Sequence, residues 1–313
     1  MSESTLTPSF SDLYGDLSLY AYETTSPTDG QKVLLKAAVN RAYRQCFIAW
    51  DWPFLRPEIT FVAWATATGT MTVSGDGNTT VTDSTNSPFH PGMIGHSIVS
   101  TNGSYVITAY TSASVVTVAT DASADTGLAF TITADGRVTM ADNVDSLIGV
   151  LMHAPDVGYG PLEEQPYDIV ADLLAGSSGT SIPREYCFLP AGFTAATGQR
   201  QQVLVYPIPS EDYTLYTRAR IKPAAMTADA EYPLGGPWFA ELVLARALAL
   251  WEGAMKGLAR KGPMADDYKE LLPGVIGKYA RQDPTNMGNM GNGSGRRPGR
   301  IRMNQLTEDD VHS

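Results

Sequence analysis

An α+β fold follows from the order of patterns along the chain: a helical bundle made from its N- and C-terminal helices, short strands between them, and an inserted antiparallel β-barrel or sandwich module. Three observations predict it. Apolar residues recur at helical spacing over residues 8–56 and again over 237–282. Between about 66 and 134 the composition shifts abruptly to Thr, Ser, Val, Gly and Asp, in short runs split by turn residues. From 137 to 222 strand-like runs alternate with a single helical one. These shifts divide the chain into an N-terminal helical part (1–65), the β module (66–134), a mixed part ending in C-terminal helices (135–282) and a flexible basic tail (283–313).

The elements follow in order. SFSDLYGDLSLYAY puts Phe10, Leu13, Tyr14 and Leu17 at helical spacing. After the polar break TTSPTDG, Thr28 or Asp29 is a candidate cap for a longer helix. In that helix Leu35, Val39, Ala42, Tyr43, Cys46 and Trp50 form one stripe, and Pro53 ends it, lacking an N–H donor. GDGN within MTVSGDGNTTVT signals a hairpin. HSIVST, SYVITAYT, SVVTVAT and LAFTITA read as further short strands. MADNVDSLIGVLM returns as a strand, PYDIVADLLA as a helix, and YCFLPAG, QQVLVYPIP and YTLYTRARI as strands. Pro237 suits a first helical turn. The helix it opens carries Leu244, Leu248, Trp251, Met255 and Leu258 on one stripe, with Trp238, Leu242, Ala245 and Ala249 beside it. A last helix, ADDYKELLPGVIGKYARQ, is expected to break near Pro273-Gly274. The Gly- and Asn-rich end offers few apolar residues to bury and is expected to be disordered alone.

The 313 residues have a formal net charge of −11. Residues 1–31 and 57–136 contain no Lys or Arg, so neither stretch can neutralise phosphates, and conventional DNA binding is not expected. Arg296, Arg297, Arg300 and Arg302 form the basic cluster of the tail. No apolar run is long enough for a membrane span, and the start lacks a secretory pattern, which points to synthesis in the cytoplasm. Cys46 and Cys187 have no CxxC spacing and read as buried free thiols. His90, His96, His153 and His312 lack metal spacing, and no phosphate loop, dinucleotide fingerprint or nucleophile elbow occurs, so no metal, cofactor or catalytic residue is predicted. Glu163-Glu164 is the one carboxylate pair that invites a hydrolase reading, although adjacent glutamates in a loop are usually solvated.

Three stretches carry a family resemblance. NRAYRQCFIAWDWPFLRPEIT ends a helix in a Trp-Pro-Phe-Leu turn before a strand, through Asn40, Ala42, Arg44, Trp52, Pro53, Phe54 and Leu55, with Trp50 beside them. IPREYCFLPAG, then VLVYPIPSEDYTLYTRARIKPAAMT, places Pro183, Tyr186, Tyr206, Pro207 and Pro209 around two strands. EYPLGGPWFAELVLARALAL leads from a Pro-rich turn into an Ala-rich helix holding Trp238 and, just beyond, Trp251. Together they resemble the head-to-tail adaptor (connector) proteins of tailed bacteriophages, over most of residues 8–282 with the β module inserted; the Gly-Ser-Gly stretch before Ile182 departs from the family's plainer loop.

That resemblance implies a structural virion protein at the head-tail joint rather than an enzyme. It implies a homo-oligomeric ring of twelve copies, a portal protein above, a tail nozzle or other tail protein below, and DNA passing through without sequence-specific binding. Arg296, Arg297, Arg300, Ile301 and Arg302 are then candidates for gripping the portal, since arginine pairs bidentately with carboxylates; DNA contact by the same arginines is the rival role. Two other classes stay open: a carbohydrate- or fibre-binding module read by Phe89, Tyr105, Tyr110 and Phe130, and an adaptor with an added cell-wall hydrolase activity.

Overall fold

The computed structural model describes residues 6–280, apart from 84, 156–157, 177–178, 195–197 and 257–261. It is an α+β protein. Helix α1 (Phe10–Tyr22) starts in a capping box, in which Ser9 and Asp12 satisfy each other's backbone N–H. Helix α2 (Asp29–Ala49) starts in another, formed by Thr28 and Gln31. The stripe Leu35, Val39, Ala42, Tyr43 and Cys46 is buried as its spacing predicts. A single 3₁₀ turn (Pro53–Leu55) then leads into strand β1 (Glu58–Ala63).

Seven short strands follow: β2 (Ala67–Thr70), β3 (Thr72–Ser74), β4 (Thr80–Thr82), β5 (Ser97–Ser100), β6 (Ser104–Ser112), β7 (Val115–Val118) and β8 (Ala129–Ile132). Their order in the sheet is β2-β8-β5-β6-β7-β4-β3. Its two ends, β2 and β3, are separated in sequence by Met71 alone, so the chain itself nearly closes the sheet into a barrel. Met71 is fully buried at this corner; its N–H donates to the Leu128 carbonyl at 3.0 Å and its carbonyl accepts from Gly127 at 2.7 Å. Gly69 is required beside it, because a Cβ there would collide with the Asp83 carboxylate and the Phe130 ring.

Beyond the barrel come β9 (Arg137–Thr139), β10 (Val144–Leu147), β11 (Met152–His153), β12 (Glu163–Glu164), α3 (Tyr167–Gly176), β13 (Thr180–Ser181), β14 (Glu185–Thr194), β15 (Gly198–Tyr206), β16 (Ile208–Pro209) and β17 (Tyr213–Ile221). Strand β17 is central, with β1 on one side and β10 and β11 on the other, all antiparallel. A second sheet orders β12-β14-β15-β9, with β12 parallel to β14. One apolar core joins barrel and sheets, from Phe89, Ile98 and Phe130 through Val138 and Met140 to Tyr186, Val203 and Leu215.

Helices α4 (Gly236–Lys256) and α5 (Pro263–Ala280) pack with α1 and α2 around a second core. Three expectations are corrected here. Helix α5 runs unbroken through Pro273. Pro273 and Gly274 are exposed, so the carbonyl that loses its donor meets water, while Tyr268, Val275 and Tyr279 anchor the helix on both sides of the proline. The buried face of α4 is Phe239, Leu242, Val243, Ala247 and Trp251, one row from the expected stripe; Leu244 and Leu248 are only partly buried. Trp238, placed on the second apolar row, is 53% exposed, with the Lys278 ammonium over its ring.

Candidate functional site

The Trp-Pro-Phe-Leu turn organises the helical core. Trp52 is fully buried and donates from Nε1 to the Cys46 carbonyl at 2.8 Å. Its ring lies 5.0 Å from Phe239 and 5.6 Å from Tyr279, centroid to centroid. Phe54 stacks beside it and meets the same two rings. Gly235 sits against Phe54 with φ +97°, where a Cβ would strike both Phe54 and Phe239, and its carbonyl accepts the Tyr279 hydroxyl. Leu55 and Trp251 are buried and Trp50 and Pro53 are half-buried. Of the other motif residues, Tyr206 and Pro207 are half-buried, joined by a cis peptide bond, and Pro209 is buried.

Along the outer side of α2 runs a groove of about 830 Å³. One wall is α2 itself, through Ala37, Asn40, Arg41, Arg44 and Ile48. The other is the segment Arg220–Ala225, which leaves β17. Asn40 holds the two walls together: Nδ2 donates to the Met226 carbonyl at 2.9 Å and Oδ1 accepts from the Met226 N–H at 3.0 Å. Asp51 pairs with both Arg56 and Arg220, and Lys222 pairs with Asp145 at 2.9 Å. Arg41 and Arg44 are exposed, and among the described residues no carboxylate pairs with either. The groove therefore presents two free cations between apolar side chains, the makings of a contact for an acidic, partly apolar partner. The sequence reading missed it. Its signal is a second set of apolar residues on α2, Val33, Leu34 and Ile48, lying off the core stripe; they are 67%, 56% and 78% exposed.

Other sequence candidates fall elsewhere. Arg296, Arg297, Arg300, Ile301 and Arg302 lie outside the described residues. Phe89, Phe130 and Tyr105 are buried in the barrel core and Tyr110 packs partly buried against it, which leaves no row of open aromatic faces there for a sugar. Glu163 and Glu164 are exposed neighbours in β12, so they point to opposite faces of the sheet. Among the described residues no group of three or more His, Cys, Asp or Glu is placed to hold a metal ion, and no helix is long and apolar enough to cross a membrane. Burial pushes the Cys46 thiol up to about 12 despite the nearby Arg246 guanidinium, and burial also raises Cys187. Both thiols are free.

Compared with protein-family models and with curated proteins, the chain matches none.

Proposed function

We propose that the chain is a structural subunit of a tailed-phage virion, an adaptor that closes into a ring between portal and tail. One observation carries this reading: the first and third of the stretches that resemble adaptor proteins, far apart in sequence, share one core, and the end of the second stretch reaches it. Trp52 and Phe54 come from the first, Ile221 from the end of the second, and Phe239 from the third. Stretches that build a common packing unit are better evidence of shared architecture than isolated short motifs.

In this reading the α1, α2, α4 and α5 bundle is the ring wall, and copies meet through heterologous contacts repeated about an axis. The barrel projects from the wall as a separate functional surface. A net charge of −11 suits a channel that DNA must cross without adhering. The basic tail is the arm toward the portal, its arginines pairing with portal carboxylates.

Negative-stain microscopy of the pure chain mixed with phage portal tests this. Rings with an axial channel, stacked on portals, are the expected result. Solitary particles that never join a portal overturn the reading. Truncation after Asn286 should abolish portal attachment while leaving the melting curve unchanged.

A further inference from the structure

The outer sides of α1 and α2 are opposite in charge and similar in length. On α1, Asp12, Asp16, Leu19, Tyr20 and Glu23 all face solvent, at the three- and four-residue steps of one helical stripe. The outer stripe of α2 reads Leu34, Ala37, Arg41, Arg44 and Ile48 at the same steps. At 1.5 Å per residue the two stripes span roughly 17 and 21 Å. A shallow hollow of about 320 Å³, bounded by Leu34, Ala37, Ala38, Leu250 and Trp251, continues the groove toward the N-terminal end of α2.

Each stripe also holds a like-charged pair about one turn apart, Asp12 with Asp16 and Arg41 with Arg44. Such pairs repel on an isolated helix, and an opposing pair relieves both. The two stripes cannot meet within one chain. The inner faces of both helices, Leu13 and Leu17 on α1 and Leu35 and Val39 on α2, are buried in the same core, so the outer stripes point away from it.

We infer that α1 of one copy docks antiparallel along the α2 groove of a neighbouring copy. With Asp16 set opposite Arg41, a four-residue step brings Tyr20 over Ala37, and the reverse step brings Asp12 opposite Gln45, one residue from Arg44. The acidic half of α1 then faces the basic half of α2, and Leu19 and Tyr20 cover the hollow around Ala37 and Ala38. Asp12 uses Oδ2 in the helix cap, which leaves Oδ1 for Arg44. Antiparallel helices also bring opposite dipole ends together. The inference rests on the ring reading and supplies its contact surface.

Charge reversal tests it, with association followed by sedimentation velocity. Asp16→Arg and Arg41→Asp should each weaken self-association about tenfold or more. The double variant, and an equimolar mixture of the two single variants, should recover most of it. Ala37→Trp, which fills the groove without altering charge, should weaken association as well. Circular dichroism shows that each variant keeps its helices. If the wild-type chain associates and the reversals change nothing, or if the double variant does not recover, this contact is wrong and the ring stands. A wild-type chain that stays monomeric at every soluble concentration overturns this contact, and the ring reading is then decided by the microscopy on portals.

Discussion

The helical core and the β-barrel solve the same burial problem with different chemistry. Around Trp52 the core is aromatic, with Phe47, Phe54, Phe239 and Tyr279 meeting mostly edge to face. The barrel core sets aliphatic side chains, Val81, Ile98, Ile107 and Val116, around one stacked aromatic pair, Phe89 and Phe130, and buries two carboxylates, Asp83 and Asp125. Helices satisfy most of their own backbone groups, so among the described residues the helical half buries one carboxylate, Glu252, which accepts the Met264 N–H at 3.1 Å where α5 starts. Short strands that bend at corners leave N–H groups unpaired, and the barrel supplies acceptors from side chains. Asp83 takes the N–H groups of Thr70, Thr85 and Asn86 at 3.0, 3.0 and 3.1 Å; Asp125 takes the Tyr105 hydroxyl. The difference teaches that the two halves should fail under different stresses.

The largest effect is expected from Trp52→Ala, which removes a buried indole and its hydrogen bond and should cost about 3–5 kcal/mol in urea unfolding. A loss under 1 kcal/mol would mean that the aromatic cluster is not what holds the helices. Asp83→Ala should cost about 1–3 kcal/mol by stranding the donors at the barrel corner.

Acid should separate the two regions. Burial pushes the Asp83 carboxyl up, but the N–H groups of Asn86, Thr70 and Thr85 outweigh it and hold the carboxyl below the usual carboxylate range. A carboxylate depressed by folding contributes stability that is present above its unfolded pKa and is lost as pH falls through its folded one. The barrel should therefore weaken in acid, and Asp83→Asn should be less acid-sensitive than the wild type; parallel pH curves of melting temperature for the two would refute this. Thr28→Ala, which removes only the cap of α2, should cost about 1 kcal/mol. The smallest response belongs to Cys46: buried and raised to about 12, it should resist alkylation at pH 8 until urea unfolds the helices.

Residues with a strong local pattern were legible from sequence alone. The buried stripe of α2 follows from a 3.6-residue period, and the polar residues before it narrow the cap to Thr28 or Asp29; the structure takes Thr28. The face of α4 was misread by one row because the helix is apolar nearly all round, and periodicity has no contrast there to work with. Pro273 was misread because whether a proline breaks a helix depends on what packs on both sides of it. Most of the candidate groove was invisible for a related reason: its second wall, Arg220–Ala225, comes from far along the chain.

Local chemistry by itself therefore determined the long helices and most of the strand runs, that α2 begins near Thr28 or Asp29, and that Cys46 belongs inside; MADNVDSLIGVLM, read as one strand, is two short strands, β10 and β11. Tertiary structure decided that Met71 turns an open sheet into a near-closed barrel, that barrel and sheets share one core, that Trp238 stays at the surface, and that Arg41 and Arg44 stand free beside a groove. The physical reason is range. Period and capping act within a few residues, whereas closure, burial and unpaired charge depend on which distant segments come to lie alongside.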